Sequence, residues 1–308
     1  MFGITQYNYE SFSRDRLLKD LTVSKFGGAP EPGDRAPDFE AQTLEGDKVR
    51  LKNFRGEKNV VLTFGSATCP QTAASLPGLN QLYRERTDDV EFLFVYVREA
   101  HPGERIPAHQ NEDDKRDAAE LLRAEENVDI PMIVDDLGGR IHRKYGRLPN
   151  ASFLIDKSGR VAFRSLFTRP AVIGEAIEEL LEVQKERGLP HAVVLNGEDL
   201  SLPPLSVLLR ARRALERGGR RSLRNFEQEM GLPGRLVLAG SRVARPIVEN
   251  PGRTAAGVAA ALAVIGAGIW VGLILRQNRL STYRSPYETR RFPKRAFQNS
   301  DDYEAVGI

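Results

Sequence analysis

Four side chains in this sequence are of the types that can do chemistry together: Cys69, Glu99, His101 and His109. Cys69 is the single cysteine among 308 residues. It follows the apolar run Val60-Val61-Leu62-Thr63-Phe64 and the short link Gly65-Ser66-Ala67-Thr68, and it opens a helical pattern at Pro70. A thiol at the point where a strand ends and a helix begins meets orphan backbone N–H groups and the positive end of the helix dipole. Both favour thiolate, the nucleophilic form. Imidazole titrates near neutral pH, so His101 or His109 can move a proton to or from a reacting group, and an imidazolium beside the sulfur lowers its pKa. Glu99 can orient a histidine, and Ser66 and Thr68 have hydroxyls to offer the sulfur. The alternative for a lone cysteine is a buried small hydrophobe, and for a loop histidine a solvated polar side chain; His142 and His191 are read in that second way.

These groups must be positioned by the elements around them. A turn followed by alternation at Leu44-Glu45-Gly46-Asp47-Lys48-Val49-Arg50-Leu51 predicts a hairpin. Buried strands are expected at 60–64 and 91–97, and helices at 70–86 and 114–126. A strand at 131–134 and a short helix at 139–145 come next. Strands at 151–155 and 161–164 flank Lys157-Ser158-Gly159 as a second hairpin, and an amphipathic helix at 171–187 closes the series. Alternation ending in a hairpin and a helix is an α/β fold with a mixed sheet. The domain organisation read from composition is a polar lead-in at 1–31, this domain at 32–188, a basic and partly helical linker at 189–253, an apolar span at 254–275 and a basic polar tail at 276–308.

The order β-α-β-α-β-β-α with a cysteine at the first strand-to-helix junction resembles the thioredoxin fold. Pro77 matches its helix-kinking proline and Pro149, just before a strand, its cis-proline. Within that fold the chain is similar to the iodothyronine deiodinase family. The likeness is carried by Phe64-Gly65-Ser66-Ala67-Thr68-Cys69-Pro70, with cysteine where the animal enzymes have selenocysteine. It continues in Tyr96-Val97-Arg98-Glu99-Ala100-His101-Pro102, in His109-Gln110-Asn111 and in Ala118-Ala119-Glu120-Leu121-Leu122. The resemblance implies that Cys69 attacks a halogen, that His101 and His109 are the two functional histidines, and that an external thiol regenerates the cysteine with no bound cofactor or metal. The loop from His101 to His109 is shorter than in the animal enzymes and lacks their tryptophan, so the resemblance carries the chemistry further than it carries the hormone.

Two other readings compete. A one-cysteine peroxiredoxin would use the same thiolate on a peroxide, but the proline and threonine that usually precede a peroxidatic cysteine are not in place. A CxxC disulfide reductase is excluded because Thr72 holds the second cysteine position. A non-catalytic thioredoxin-fold membrane adaptor draws its support from charge. Residues 205–308 carry 18 Lys and Arg against 8 Asp and Glu. Arg210, Arg212, Arg213, Arg217, Arg220, Arg221 and Arg224 are met within their own stretch only by Glu216, and such a cluster suits an anionic lipid surface better than nucleic acid, for which no aromatic interleaving or motif is present.

The run at 254–275, TAAGVAAALAVIGAGIWVGLIL, has no charge and is long enough to cross a bilayer as a single transmembrane helix. Gly268 and Gly272 form a GxxxG compatible with a homodimer. The first 30 residues lack the features of a signal peptide, which places the catalytic domain in the cytoplasm, although the arginines after the span argue for the opposite face. The expected partners are a halogenated aromatic or peroxide substrate, a thiol reductant and membrane lipid.

Overall fold

A computed structural model of the chain describes residues 7–25, 28–188, 190–192, 194, 197–201 and 206–249, all within the first of two compact units, which covers residues 1–262. The expected membrane span and the tail after it lie outside the described residues. Among the described residues no helix is long and apolar enough to cross a membrane.

The central strand β3 (Asn59–Gly65) is buried at every residue. Its unbroken apolar run is the pattern of a strand covered on both faces, and its side chains divide by the period of two. Val61 joins the core under helix α2 (Pro70–Arg86) with Leu76, Leu79 and Phe92. Val60, Leu62 and Phe64 join the opposite core with Tyr145, Leu148 and Phe153. Strand β4 (Val90–Tyr96) pairs with β3 in parallel, and β5 (Met132–Val134) pairs in parallel with β4. On the other side β6 (Ser152–Ile155) and β7 (Val161–Ser165) are antiparallel, and the two-residue β8 (Glu198–Asp199) follows in parallel. The order β5-β4-β3-β6-β7-β8 contains the βαβ and ββα halves of a thioredoxin-like sheet. A separate hairpin, β1 (Glu40–Gln42) with β2 (Lys48–Arg50), lies where the turn signal puts it. Helices α3 (Glu112–Glu126), α4 (Arg140–Lys144) and α5 (Pro170–Arg187) complete the domain.

The two ends of this domain are more ordered than a lead-in and a linker. Near the start, helix α1 (Arg14–Lys25) follows a segment whose Tyr7, Tyr9 and Phe12 are buried. Arg98 lies over both tyrosine rings, 4.9 and 5.1 Å from their centroids, and pairs with Asp20. Tyr7 reaches His142, which is fully buried and not the solvated side chain its sequence context suggests. The Leu148 carbonyl, 3.0 Å from Nε2, can only accept, so Nε2 carries the proton and Nδ1 accepts from the Tyr7 hydroxyl at 2.8 Å. His191, by contrast, is partly exposed and lies 2.5 Å from Asp156.

After the domain, helices α6 (Ser206–Gly218) and α7 (Arg220–Glu249, broken at Gly231) pack together, with α6 against α2. The loop after β4 meets their junction at van der Waals contact. A Cβ at Gly103 would sit 2.0 Å from the Gly218 carbonyl oxygen, so only glycine permits that approach. Glu104 accepts from the Arg220 and Arg221 N–H groups at 2.6 and 2.8 Å, capping α7 with a charge of the favourable sign.

This packing gives four of the seven clustered arginines acidic partners within the protein. Arg210, Arg213 and Arg217 converge on Glu126 at the end of α3, Arg217 also takes Glu125 at 2.6 Å, and Arg212 takes Glu216 at 2.6 Å. The acids on α3 lie some eighty to ninety residues upstream, where inspection of the cluster itself does not find them, while Arg220, Arg221 and Arg224 are exposed.

Arg217 and Glu126 are each only 3% exposed at the side chain. Removing Arg217 leaves Glu126 only the longer contacts to Arg210 and Arg213, at a cost bounded by the roughly 3–5 kcal/mol of a stranded buried charge. Arg217→Ala is therefore expected to lower the denaturant midpoint severely. The double variant Arg217→Met, Glu126→Leu should regain most of that loss, and equal stability of single and double variants would show that the charges do not act as a pair.

Candidate active site

The site grows from the β3–α2 junction. Cys69 is the N-cap of α2 with extended backbone angles, φ −85° and ψ 116°, and Pro70 begins the helix where a missing N–H does no harm. The Cys69 N–H donates back to the Ser66 carbonyl at 3.3 Å, which closes the connecting loop into a turn. The thiol is 5% exposed.

The carboxylate of Glu99, in the segment after β4, fastens this loop. It accepts from the Thr68 N–H at 2.9 Å, from the Thr68 hydroxyl at 2.5 Å and from the Tyr96 hydroxyl. His109 Nε2 stands 3.3 Å from the oxygen that takes the Tyr96 hydroxyl, at ion-pair distance. Burial pushes the Glu99 carboxyl up, but His109, Thr68 and Tyr96 together outweigh it and hold the group below the ordinary carboxylate range. The structure thus brings Glu99 and His109 together, as their types suggest. Thr68 Oγ1 also accepts the His101 N–H at 3.0 Å, and Ser66 Oγ accepts the Ala100 N–H at 3.2 Å.

Those bonds give Ser66 and Thr68 a different task from the one expected of them. They splint the loop to the segment after β4, and the groups that draw the thiol pKa down are Thr72, through hydroxyl and N–H, and the Gln71 N–H. Thr72 occupies the second position of a CxxC, one helical turn from Cys69, and that spacing was the available signal. Its oxygen also accepts from Asn150 Nδ2 at 3.3 Å.

The thiol itself differs from expectation. Burial pushes the Cys69 pKa up; the Thr72 and Gln71 donors pull it down, the Glu99 charge pushes it up again, and the net direction is upward. The helix terminus acts as predicted but loses to desolvation. His101 does not act as an imidazolium either, since burial lowers its pKa to about 3 against a smaller upward pull from Glu99. The resting site is a thiol and a neutral imidazole.

Cys69 and His101 line one predominantly apolar cavity of about 150 Å³. Its walls include Tyr9 and Phe12 from the N-terminal segment, Phe167 after β7, and Phe226 and Met230 from α7. The His101 ring lies 4.3 Å from Phe12 and 5.4 Å from Phe226, centroid to centroid. Arg217 donates to the Ala67 carbonyl at 3.1 Å, and Ser222 donates to the His101 carbonyl at 2.8 Å. Segments before and after the domain therefore complete the site, which sequence reasoning did not foresee. His109 is not among the cavity's lining residues. Pro149 lines it beside Cys69, but no peptide bond among the described residues is cis, so the expected cis-proline is trans. A larger depression of about 480 Å³ lies away from this chemistry, between β1 and α4, and is lined by charged side chains. Among the described residues no group of three His, Cys, Asp or Glu side chains is arranged to hold a metal ion.

Fold and site define a thioredoxin-like domain with one thiol at the helix N-terminus and no partner cysteine. The chain belongs to the iodothyronine deiodinase family, whose sequence model matches residues 16–170. It is 36% identical over 125 residues to thyroxine 5-deiodinase of Gallus gallus, covering 37% of this chain and 48% of that protein. It is 26% identical over 162 residues to type I iodothyronine deiodinase of Xenopus laevis, covering 50% and 64%. It is also 30% identical over 154 residues to the thiol-disulfide oxidoreductase ResA of Bacillus thuringiensis, covering 49% and 75%. The chain spans about half the length of the curated deiodinases it matches.

Two pH dependences follow. Alkylation of Cys69 by iodoacetamide should accelerate by up to about tenfold per unit from pH 7 to 9, because the reactive thiolate is still a minor species there; a plateau reached below pH 8 would contradict the raised thiol pKa. In the unfolded chain a histidine takes up its proton near pH 6.5, whereas folded His101 does so only near pH 3. Its contribution to stability is therefore full above pH 6.5 and is lost as the pH falls toward 3. His101→Phe should flatten part of that slope in urea titrations.

Proposed function

We propose that this chain is a thiol-dependent reductive dehalogenase of small aryl halides. The observation that carries the reading is the pairing of Cys69 with a neutral His101 in one apolar cavity, in a domain of the deiodinase family. The cavity matches the size class that admits a benzene ring, about 150 Å³ in engineered cores. In this reading His101, whose pKa of about 3 makes it too weak a base to hold the Cys69 proton at rest, relays that proton within a single step. The sulfur attacks iodine as its proton passes through the imidazole; an S–I bond forms as S–H and C–I break, and the aryl carbon takes the proton that His101 hands on. One external thiol displaces iodide from the sulfenyl iodide to give a mixed disulfide. A second thiol releases the Cys69 thiol and the oxidised reductant. The sum is aryl iodide plus two thiols giving arene, disulfide and hydrogen iodide.

In this reading Glu99 and His109 are positioning residues. They hold Thr68, and through it the loop that presents the sulfur, without touching the substrate. A thiol supplied from outside is the only redox partner, and no bound cofactor is required. We further propose that residues 254–275 anchor the protein in a membrane, on the strength of the uncharged apolar run.

The test is iodide release from an iodinated phenol under excess dithiothreitol. Cys69→Ser is expected to abolish it, and His101→Ala to reduce kcat by about 10²- to 10⁴-fold. Peroxide consumption without iodide release would move the chain to the thiol peroxidases. Neither activity, in protein whose Cys69 is intact, would leave the scaffold as a binding adaptor.

A further inference from the structure

Helix α7 changes character at its break. Up to Gly231, whose φ of 61° interrupts the helix, its Phe226 and Met230 line the cavity. Beyond it, Leu238 is buried in a small core with Leu215 and Phe226, Val237 packs against that core, and Ser241 is buried. The other side of this second half is bare. Leu232 is 69% exposed and Leu236 38%, and Arg235, Ala239 and Arg242 are exposed with them. At about 3.6 residues per turn these positions form one stripe about 120° wide, running from the leucines on one border to the arginines on the other. From Leu232 to Val248 the sequence holds Arg235, Arg242 and Arg245 and no acid. Among the described residues neither Arg235 nor Arg242 has an ion-pair partner, unlike Arg210, Arg213 and Arg217 of α6.

Single apolar side chains on a surface need no partner, but the place of this stripe in the chain supplies one. Helix α7 ends at Glu249, and the uncharged run begins at Thr254. At about 3.6 Å per residue at most, the helix end stays within about 18 Å of the start of that run. We infer that the exposed face of α7 beyond Gly231 docks on a bilayer carrying anionic phospholipid, with the helix lying in the membrane plane. Leucines bordered by arginines suit that place, the former entering the acyl boundary and the latter pairing with lipid phosphates. A second copy of the chain fits it less well, because two such faces would set arginine against arginine with no acid in either stripe. The inference rests on the reading of residues 254–275 as a membrane anchor and goes beyond it. An anchor limits distance, whereas a docked α7 sets how the domain, and the cavity wall that α7 supplies, lies on the membrane.

The test uses the full chain with Cys69→Ser and Leu236→Cys, which leaves a single thiol to carry an environment-sensitive fluorophore. It is reconstituted in nanodiscs of phosphatidylcholine, or of an equal mixture with phosphatidylglycerol, with and without brominated acyl chains. In the mixed discs the label is expected to shift to the blue and to be quenched by bromine. Both effects should be lost on adding Arg235→Glu and Arg242→Glu, with the far-ultraviolet circular dichroism of the chain unchanged. In phosphatidylcholine alone the docked-to-free ratio should fall by about fivefold for each arginine engaged. A label that stays in water in discs that hold the protein would overturn the docking and leave the anchor standing. Shielding without bromine quenching would assign the face to a second copy, and equal quenching in both lipids would remove the anionic requirement; either overturns the inference. A chain that does not enter the discs would refute the anchor, and the docking with it.

Discussion

A carboxylate buried in a protein must find hydrogen-bond donors on nearly every lone pair, and Glu99 meets that demand by drawing three segments to one point. The Thr68 N–H and hydroxyl come from the nucleophile loop, the Tyr96 hydroxyl from the end of β4, and His109 from the segment before α3. The position of the sulfur is therefore decided by an acid that is not itself in the cavity. The same charge works against the thiolate, and the first turn of α2 opposes it with Thr72 and Gln71. The resting thiol is the outcome of that opposition in a dry setting, where neither the helix terminus nor the donors overcome the loss of water.

Two arginines extend this frame to the segments that flank the domain. Arg98, next to Glu99 in sequence, gathers Tyr7, Tyr9 and Asp20, and so fixes the segment that supplies Phe12. Arg217 joins Glu126 to the Ala67 carbonyl and holds the helices that supply Phe226 and Met230. Part of the cavity wall consequently lies outside residues 16–170, the stretch shared with the family. The chain thus forms part of its cavity from residues 206–249, beyond the stretch that the family model matches.

The alternation of apolar runs made the central elements legible, since a strand buried on both faces, such as β3, leaves a continuous signature. Cys69 at the strand-to-helix junction was legible for the same reason, as was the kinship carried by the strings around it. What local sequence does not encode is how dry a position becomes. Cys69, His101 and His142 all titrate opposite to the direction that sequence position or ordinary imidazole behaviour suggests, or beyond the neutral range, because distant segments cover them. The partners of Arg210, Arg213 and Arg217 were hidden for a related reason, since they lie on α3. Pro149 sits where a thioredoxin-like fold puts a cis-proline, yet its bond is trans, so position in the fold did not settle backbone geometry.

The single thiol and the narrow cavity together constrain the order of events. A space of about 150 Å³ with Cys69 in its wall has no room for an aryl substrate and a reducing thiol at once. With no second cysteine in the chain to relay electrons to the surface, the reductant has to enter through the opening that the dehalogenated product has just left. The proposed reaction is therefore a ping-pong cycle in which oxidised and reduced enzyme alternate, double-reciprocal plots run parallel, and each co-substrate inhibits by occupying the form meant for the other.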